Sequence, residues 1–184
     1  MSFLTVMELL PLIGAALIAT TGKGKDELVK KMAFATTLVV AAAGIWLTLQ
    51  FNRADAGLQF VEKHSWISAF GINYAVGVDG IALVLILMSV ILAPIVVLAG
   101  WNEATGGRWS VKTFYILILI LETMMIGVFA ATDVFLFYVF FEAMLIPVYF
   151  LIGGYGTGAR SQAAVKFLIY SLFGGLLMLA SIIA

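Results

Sequence analysis

The chain has 184 residues, 64% of them hydrophobic and 11% charged, with a mean hydropathy of +1.15. A soluble domain is near half apolar and a quarter charged, so this composition excludes one and makes lipid the solvent. Ten basic and ten acidic residues cancel, there is no Cys, and the single His is His64. No global positive field invites nucleic acid, and the chain has no means to build a disulfide, a cysteine-held iron–sulfur cluster or a bis-histidine haem.

Windows of about 19 residues pick out six apolar spans, at roughly 3–20, 32–51, 80–100, 112–131, 134–154 and 164–184. Each crosses about 30 Å of hydrocarbon at 1.5 Å per residue, and a backbone without water must bond to itself, so all six read as helices. The expected fold is an all-α polytopic membrane protein, one membrane domain over residues 1–184. No Lys or Arg precedes the first span, which argues against a cleaved signal. The last span runs to Ser181-Ile-Ile-Ala184 with no polar anchor after it, as in the first part of a longer product.

The connections set the orientation. Lys23, Lys25, Lys30 and Lys31 follow the first span, Arg108 and Lys112 the third, and Arg160 and Lys166 the fifth. The alternate side holds only Arg53 and Lys63. Basic loops stay in the cytoplasm, so the N-terminus is expected outside. The long outer loop, 52–79, alternates apolar residues from Phe70 to Val78 with Gly71, Asn73, Ala75 and Gly77. That period of two predicts a short β-element. Asp79 and Asp133 stand where N-caps of the third and fifth helices belong.

Ionisable residues inside the spans are candidates for function. Glu142 is the one charge between Phe135 and Gly154 and lies ten residues from the turn at Thr132, about 15 Å into the membrane. Tyr138 and Tyr149 share its helical face, and Pro147 frees the carbonyl of Ala143 beside it. Glu122 lies ten residues to the other side of Thr132, at similar depth. If the two carboxyls face each other they form a coupled pair able to hold and release a proton; otherwise each is paired with another helix. Lys166, with Tyr170 one turn deeper, either snorkels to the cytoplasmic interface or opens a proton path. Glu8 and Pro11 read as packing residues. Gly154-Tyr-Gly-Thr-Gly-Ala159 fits a dinucleotide fingerprint in letters only, because it follows a membrane helix and not a strand.

The run Phe140-Phe-Glu-Ala-Met-Leu-Ile-Pro-Val-Tyr-Phe-Leu-Ile-Gly153 closely resembles the fifth helix of chain M of bacterial NADH–quinone oxidoreductase, complex I. Ile126 to Phe137, Ala164 to Tyr170 and Val78-Asp-Gly-Ile81 are similar to neighbouring parts of that antiporter-like subunit. The match is good over residues 70–175, while the first two helices agree by pattern. Chains L and N and cation/proton antiporter subunits share the architecture and the fifth-helix glutamate.

The resemblance implies a proton-translocating subunit of an NADH–quinone oxidoreductase in the bacterial inner membrane, represented here by its N-terminal portion. Its partners would be other membrane subunits, chains L and N above all. NADH, FMN, Fe–S clusters and quinone would be bound on partner subunits, leaving no redox site in this chain. Glu142 would pair with a lysine on a broken seventh helix, and Glu122 and Lys166 would complete the proton-transfer set. The alternatives are a cation/proton antiporter subunit without redox coupling and a purely structural membrane subunit.

Overall fold

A computed structural model describes residues 3–22, 24–55 and 57–183, the side chain of Phe70 excepted. Lys23, counted above among the basic residues, and Ala184 lie outside the described residues. The order is α1 (Phe3–Thr20), α2 (Asp26–Gln50), β1 (Gln59–Ile67), β2 (Ile72–Val78), α3 (Gly80–Ala99), α4 (Val111–Ala130), α5 (Val134–Tyr155) and α6 (Arg160–Ile183). Among the described residues all six helices are long and apolar enough to cross a membrane.

Two helices begin earlier than hydropathy places them. α2 starts at Asp26 and not near 32, and α6 at Arg160 and not near 164. Hydropathy reports where lipid begins, whereas a helix continues into its polar first turn. Asp26 and Glu27 sit in that turn of α2, where acidic groups face the positive end of the helix dipole. The expected caps are present. Asp79 accepts from the Ala82 amide at 2.7 Å, and Asp133 from those of Phe135 and Leu136 at 2.9 and 3.1 Å. At the other end of α1, Lys112 donates to the carbonyls of Ala19 and Thr21 at 2.6 and 2.8 Å, satisfying groups that a helix C-terminus leaves open.

β1 and β2 form an antiparallel hairpin whose turn contains a 3₁₀ segment, Ser68–Phe70, and Gly71 at φ +69°. The strand read from Phe70 onward therefore begins at Ile72, because Phe70 and Gly71 are spent on the turn. β1 escaped the hydrophobic pattern for a physical reason: Glu62 is its only fully buried residue. A register shift between Gln59 and Glu62, with Phe60 at φ 54°, marks an irregularity there; such bulges re-aim side chains.

The hairpin is pinned to the α4–α5 turn. The Thr132 amide donates to the Ala75 carbonyl at 2.9 Å, and the Asn73 amide donates to Asp133 Oδ2 at 3.1 Å. Asp133 thus caps α5 and holds the sheet with its two oxygens.

The core has two apolar clusters stacked along the helices. The one nearer the hairpin includes Leu4, Met7, Val40, Ile86, Val90 and Ile126. The other includes Ile18, Val29, Ala33, Val97, Tyr115 and Leu119. Buried polar side chains fall between them in sequence on three helices: Glu8 on α1, Thr37 on α2, and Glu122 and Thr123 on α4. α6 by contrast buries only Ala164 and Gly175.

Candidate functional site

Glu122 occupies the same stripe of α4 as Tyr115, Leu119 and Ile126, so it points into the packed interior and is 3% exposed. Among the described residues neither of its carboxyl oxygens has a hydrogen-bond partner, nor does the neighbouring Thr123 hydroxyl. A buried polar group left so costs about 1–3 kcal/mol, more when charged. Such a cost inside a membrane span makes Glu122 a candidate functional group.

Glu142 is built differently. It is half-buried on α5, with Oε1 buried and without a hydrogen-bond partner among the described residues. A side chain at Gly175 of α6 would overlap that oxygen. The glycine is what lets α6 approach the carboxyl, and Glu142 is thereby turned toward α6. Pro147 is buried one turn beyond. Tyr138 and Tyr149 are half-buried, with their rings against Phe135 and Phe150.

Among the described residues no hydrogen bond or ion pair joins Glu122, Glu142, Tyr138, Tyr149 and Lys166. Glu142 meets Gly175 of α6 and Glu122 lies on the buried stripe of α4, and the two carboxyls are not a hydrogen-bonded pair among the described residues. Lys166 lies exposed on α6 and has no hydrogen-bonded partner among the described residues. No group of three or more His, Asp or Glu comes together as metal ligands among them either.

Two further polar features were not read from the sequence. Lys30, counted as a loop charge, is buried; it donates to Glu27 at 3.0 Å and stands 5.6 Å over the Trp101 ring. Glu8, expected to serve packing, is 6% exposed and bonded to the Tyr74 hydroxyl at 3.0 Å. The Thr5 hydroxyl lies 3.0 Å from the same Tyr74 oxygen and 2.9 Å from Glu62 Oε2. Burial, with Glu8 and Glu62 nearby, pushes the Tyr74 phenol up to about 12, so it keeps its proton at neutral pH. The signal for Glu8 was available, since it is a carboxyl within an apolar span; its partner was not, because Tyr74 lies 66 residues away along the chain and reaches Glu8 only once the hairpin has folded over α1.

Comparison with known proteins places this arrangement. Residues 9–128 match the family model for NADH-ubiquinone oxidoreductase chain 4, amino terminus. Residues 131–184 match the model for NADH:quinone oxidoreductase/Mrp antiporter, TM. NADH-quinone oxidoreductase subunit M of Mycobacterium tuberculosis is 45% identical over 208 residues, covering 98% of this chain and 38% of that protein. The Rhodobacter capsulatus subunit M is 38% identical over 187 residues, covering 100% of this chain and 35% of that protein. A chain in the structure of respiratory complex I from Thermus thermophilus with bound NADH superposes with a TM-score of 0.80 at 26% identity, covering 98% of this chain and 35% of that one. The chain thus spans little more than a third of the length of these relatives. With both family models matched in order along a six-helix architecture, the chain belongs to the NADH:quinone oxidoreductase chain 4, or subunit M, family of multi-pass membrane proteins.

Proposed function

We propose that this chain is the N-terminal part of a proton-translocating membrane subunit of an NADH–quinone oxidoreductase, coupling quinone reduction elsewhere in the complex to proton transfer. One observation carries the reading: Glu142 presents a buried, unpartnered carboxyl oxygen at the α5–α6 contact, where Gly175 makes room for it. A carboxylate there stabilises a protonated lysine brought near it, and moving the two charges apart releases the lysine's proton. The partner would be the seventh-helix lysine that the family resemblance implies. Glu122 is the second proton-holding group, and Lys166, on the basic side of α6, admits protons. NADH, FMN, iron–sulfur clusters and quinone belong to partner subunits in this reading, and the antiporter-like chains L and N are neighbours in the membrane.

The relatives reported above are named as oxidoreductase subunits, which favours redox coupling over a cation/proton antiporter. Purification of the full-length protein tests this. Co-purification with flavin and iron–sulfur subunits is expected, and a stable assembly lacking both would move the assignment to an antiporter.

The orientation follows from charge. Lys25, Lys31, Arg108 and Arg160 lie in or beside the connections opposite the hairpin, which supports a reading with that face in the cytoplasm of a bacterial inner membrane and the N-terminus outside. Lys25 and Lys63 are both exposed. In intact spheroplasts, a membrane-impermeant thiol reagent is expected to label Lys63→Cys and spare Lys25→Cys. The opposite pattern would invert the topology.

A further inference from the structure

The contacts that tie α1 to the hairpin contain more hydrogen bonds than their hydroxyls can supply. Thr5 Oγ1 lies 2.9 Å from Glu62 Oε2, Thr5 Oγ1 lies 3.0 Å from Tyr74 OH, and Tyr74 OH lies 3.0 Å from Glu8 Oε2. These are three oxygen–oxygen bonds, each needing one hydrogen. A threonine and a tyrosine provide one each, and an ionised carboxylate provides none. With both glutamates ionised, both hydroxyl hydrogens would go to the carboxylates, leaving Thr5 and Tyr74 facing each other through lone pairs. The third hydrogen must reside on Glu8 or Glu62, each 6% exposed.

We propose that Glu8, Tyr74, Thr5 and Glu62 form a proton wire that holds one shared proton and passes it between α1 and β1 of the hairpin. Its resting direction follows from the helix terminus. The Thr5 amide lies in the first turn of α1 and donates to Glu62 Oε1 at 3.1 Å. First-turn amides have no partner within the helix, and the dipole there favours an anion. Glu62 is therefore the ionised end. Glu8 carries the hydrogen and donates it to Tyr74, Tyr74 donates to Thr5, and Thr5 donates to Glu62.

Transfer reverses every bond. Glu8 gives its proton to the Tyr74 oxygen, Tyr74 gives its own to Thr5, and Thr5 gives its own to Glu62. One proton moves from Glu8 to Glu62, three O–H bonds break, three form, and no electron is exchanged. The burial of Tyr74 that keeps its phenol protonated suits it to relay without becoming an anion.

The wire's place on a translocation route rests on the function proposed above; the shared proton does not. Infrared difference spectra of the purified full complex at neutral pH separate the two. Subtracting the Glu8→Gln spectrum from wild type is expected to isolate a protonated-carboxyl band that shifts in D₂O, and subtracting Glu62→Gln to isolate carboxylate bands. Tyr74→Phe keeps the ring and removes two bonds of the wire, so the Glu8 band should move to higher frequency. Carboxylate bands for both glutamates, or a Glu8 band unmoved by Tyr74→Phe, would overturn the shared proton. In vesicles Tyr74→Phe is expected to slow pumping by the assembled complex by about 10²-fold, the scale of losing a positioned proton donor. Wild-type pumping in that variant would overturn transfer through the wire. Absence of pumping in the wild type itself would refute the proposed function and leave the infrared result to decide the shared proton.

Discussion

Glu142→Gln is expected to give an assembled complex that no longer pumps protons. Glutamine keeps the shape and most of the hydrogen-bonding capacity of the side chain but carries no charge. If the carboxylate controls the proton on a partner lysine, removing its charge removes the coupling, and couplings between sites of about 1–3 kcal/mol change an equilibrium by about 5- to 150-fold. Glu142→Asp keeps the charge and withdraws it by one methylene, so partial pumping is expected. Glu142→Ala should match Gln in pumping and assemble less well, because it leaves a partner charge unpaired in the membrane. Electron entry lies on other subunits in this account, so reduction of an artificial acceptor at the flavin end should be unchanged in all three. Assembly by native gel and the two rates together check the series.

Gly175→Ala should produce a similar loss without touching a titratable group. The added methyl would occupy the space of Glu142 Oε1. That oxygen ends a flexible side chain, so the carboxyl rotates away while α5 and α6 stay packed. An alanine inside a helix is itself more favourable than glycine by about 0.5–1 kcal/mol, so assembly should hold. Gly174→Ala is the matched control, since nothing lies within 4 Å of a side chain added there; it is expected to pump at the wild-type rate. Equal pumping by the two variants would mean that the position of the Glu142 carboxyl against α6 has no functional weight.

The six helices were legible because each is a local property of the chain. Hydropathy counts residues that lipid accepts, and that count needs no tertiary structure. The caps at Asp79 and Asp133 were legible for the same reason, the capping residue lying next to what it caps. The facing of side chains was not. Whether Glu142 meets Glu122 or Gly175 depends on how α5 and α6 are rotated, and nearly all residues of a membrane helix are apolar, so no polar stripe marks the inner face. β1 was illegible because its buried residue is Glu62, the reverse of the usual alternation. The Glu8–Tyr74–Thr5–Glu62 network was illegible in turn, since two of its members reach it only through that hairpin.

The central claim is that the carboxylate charge of Glu142 is required for proton movement through this subunit. Acidification of sealed membrane vesicles during NADH oxidation, compared between wild type and Glu142→Gln at equal complex content and equal artificial-acceptor reduction, tests it most directly. Loss of the pH gradient in the variant is the predicted result; a gradient formed at the wild-type rate by an intact Glu142→Gln complex would contradict it.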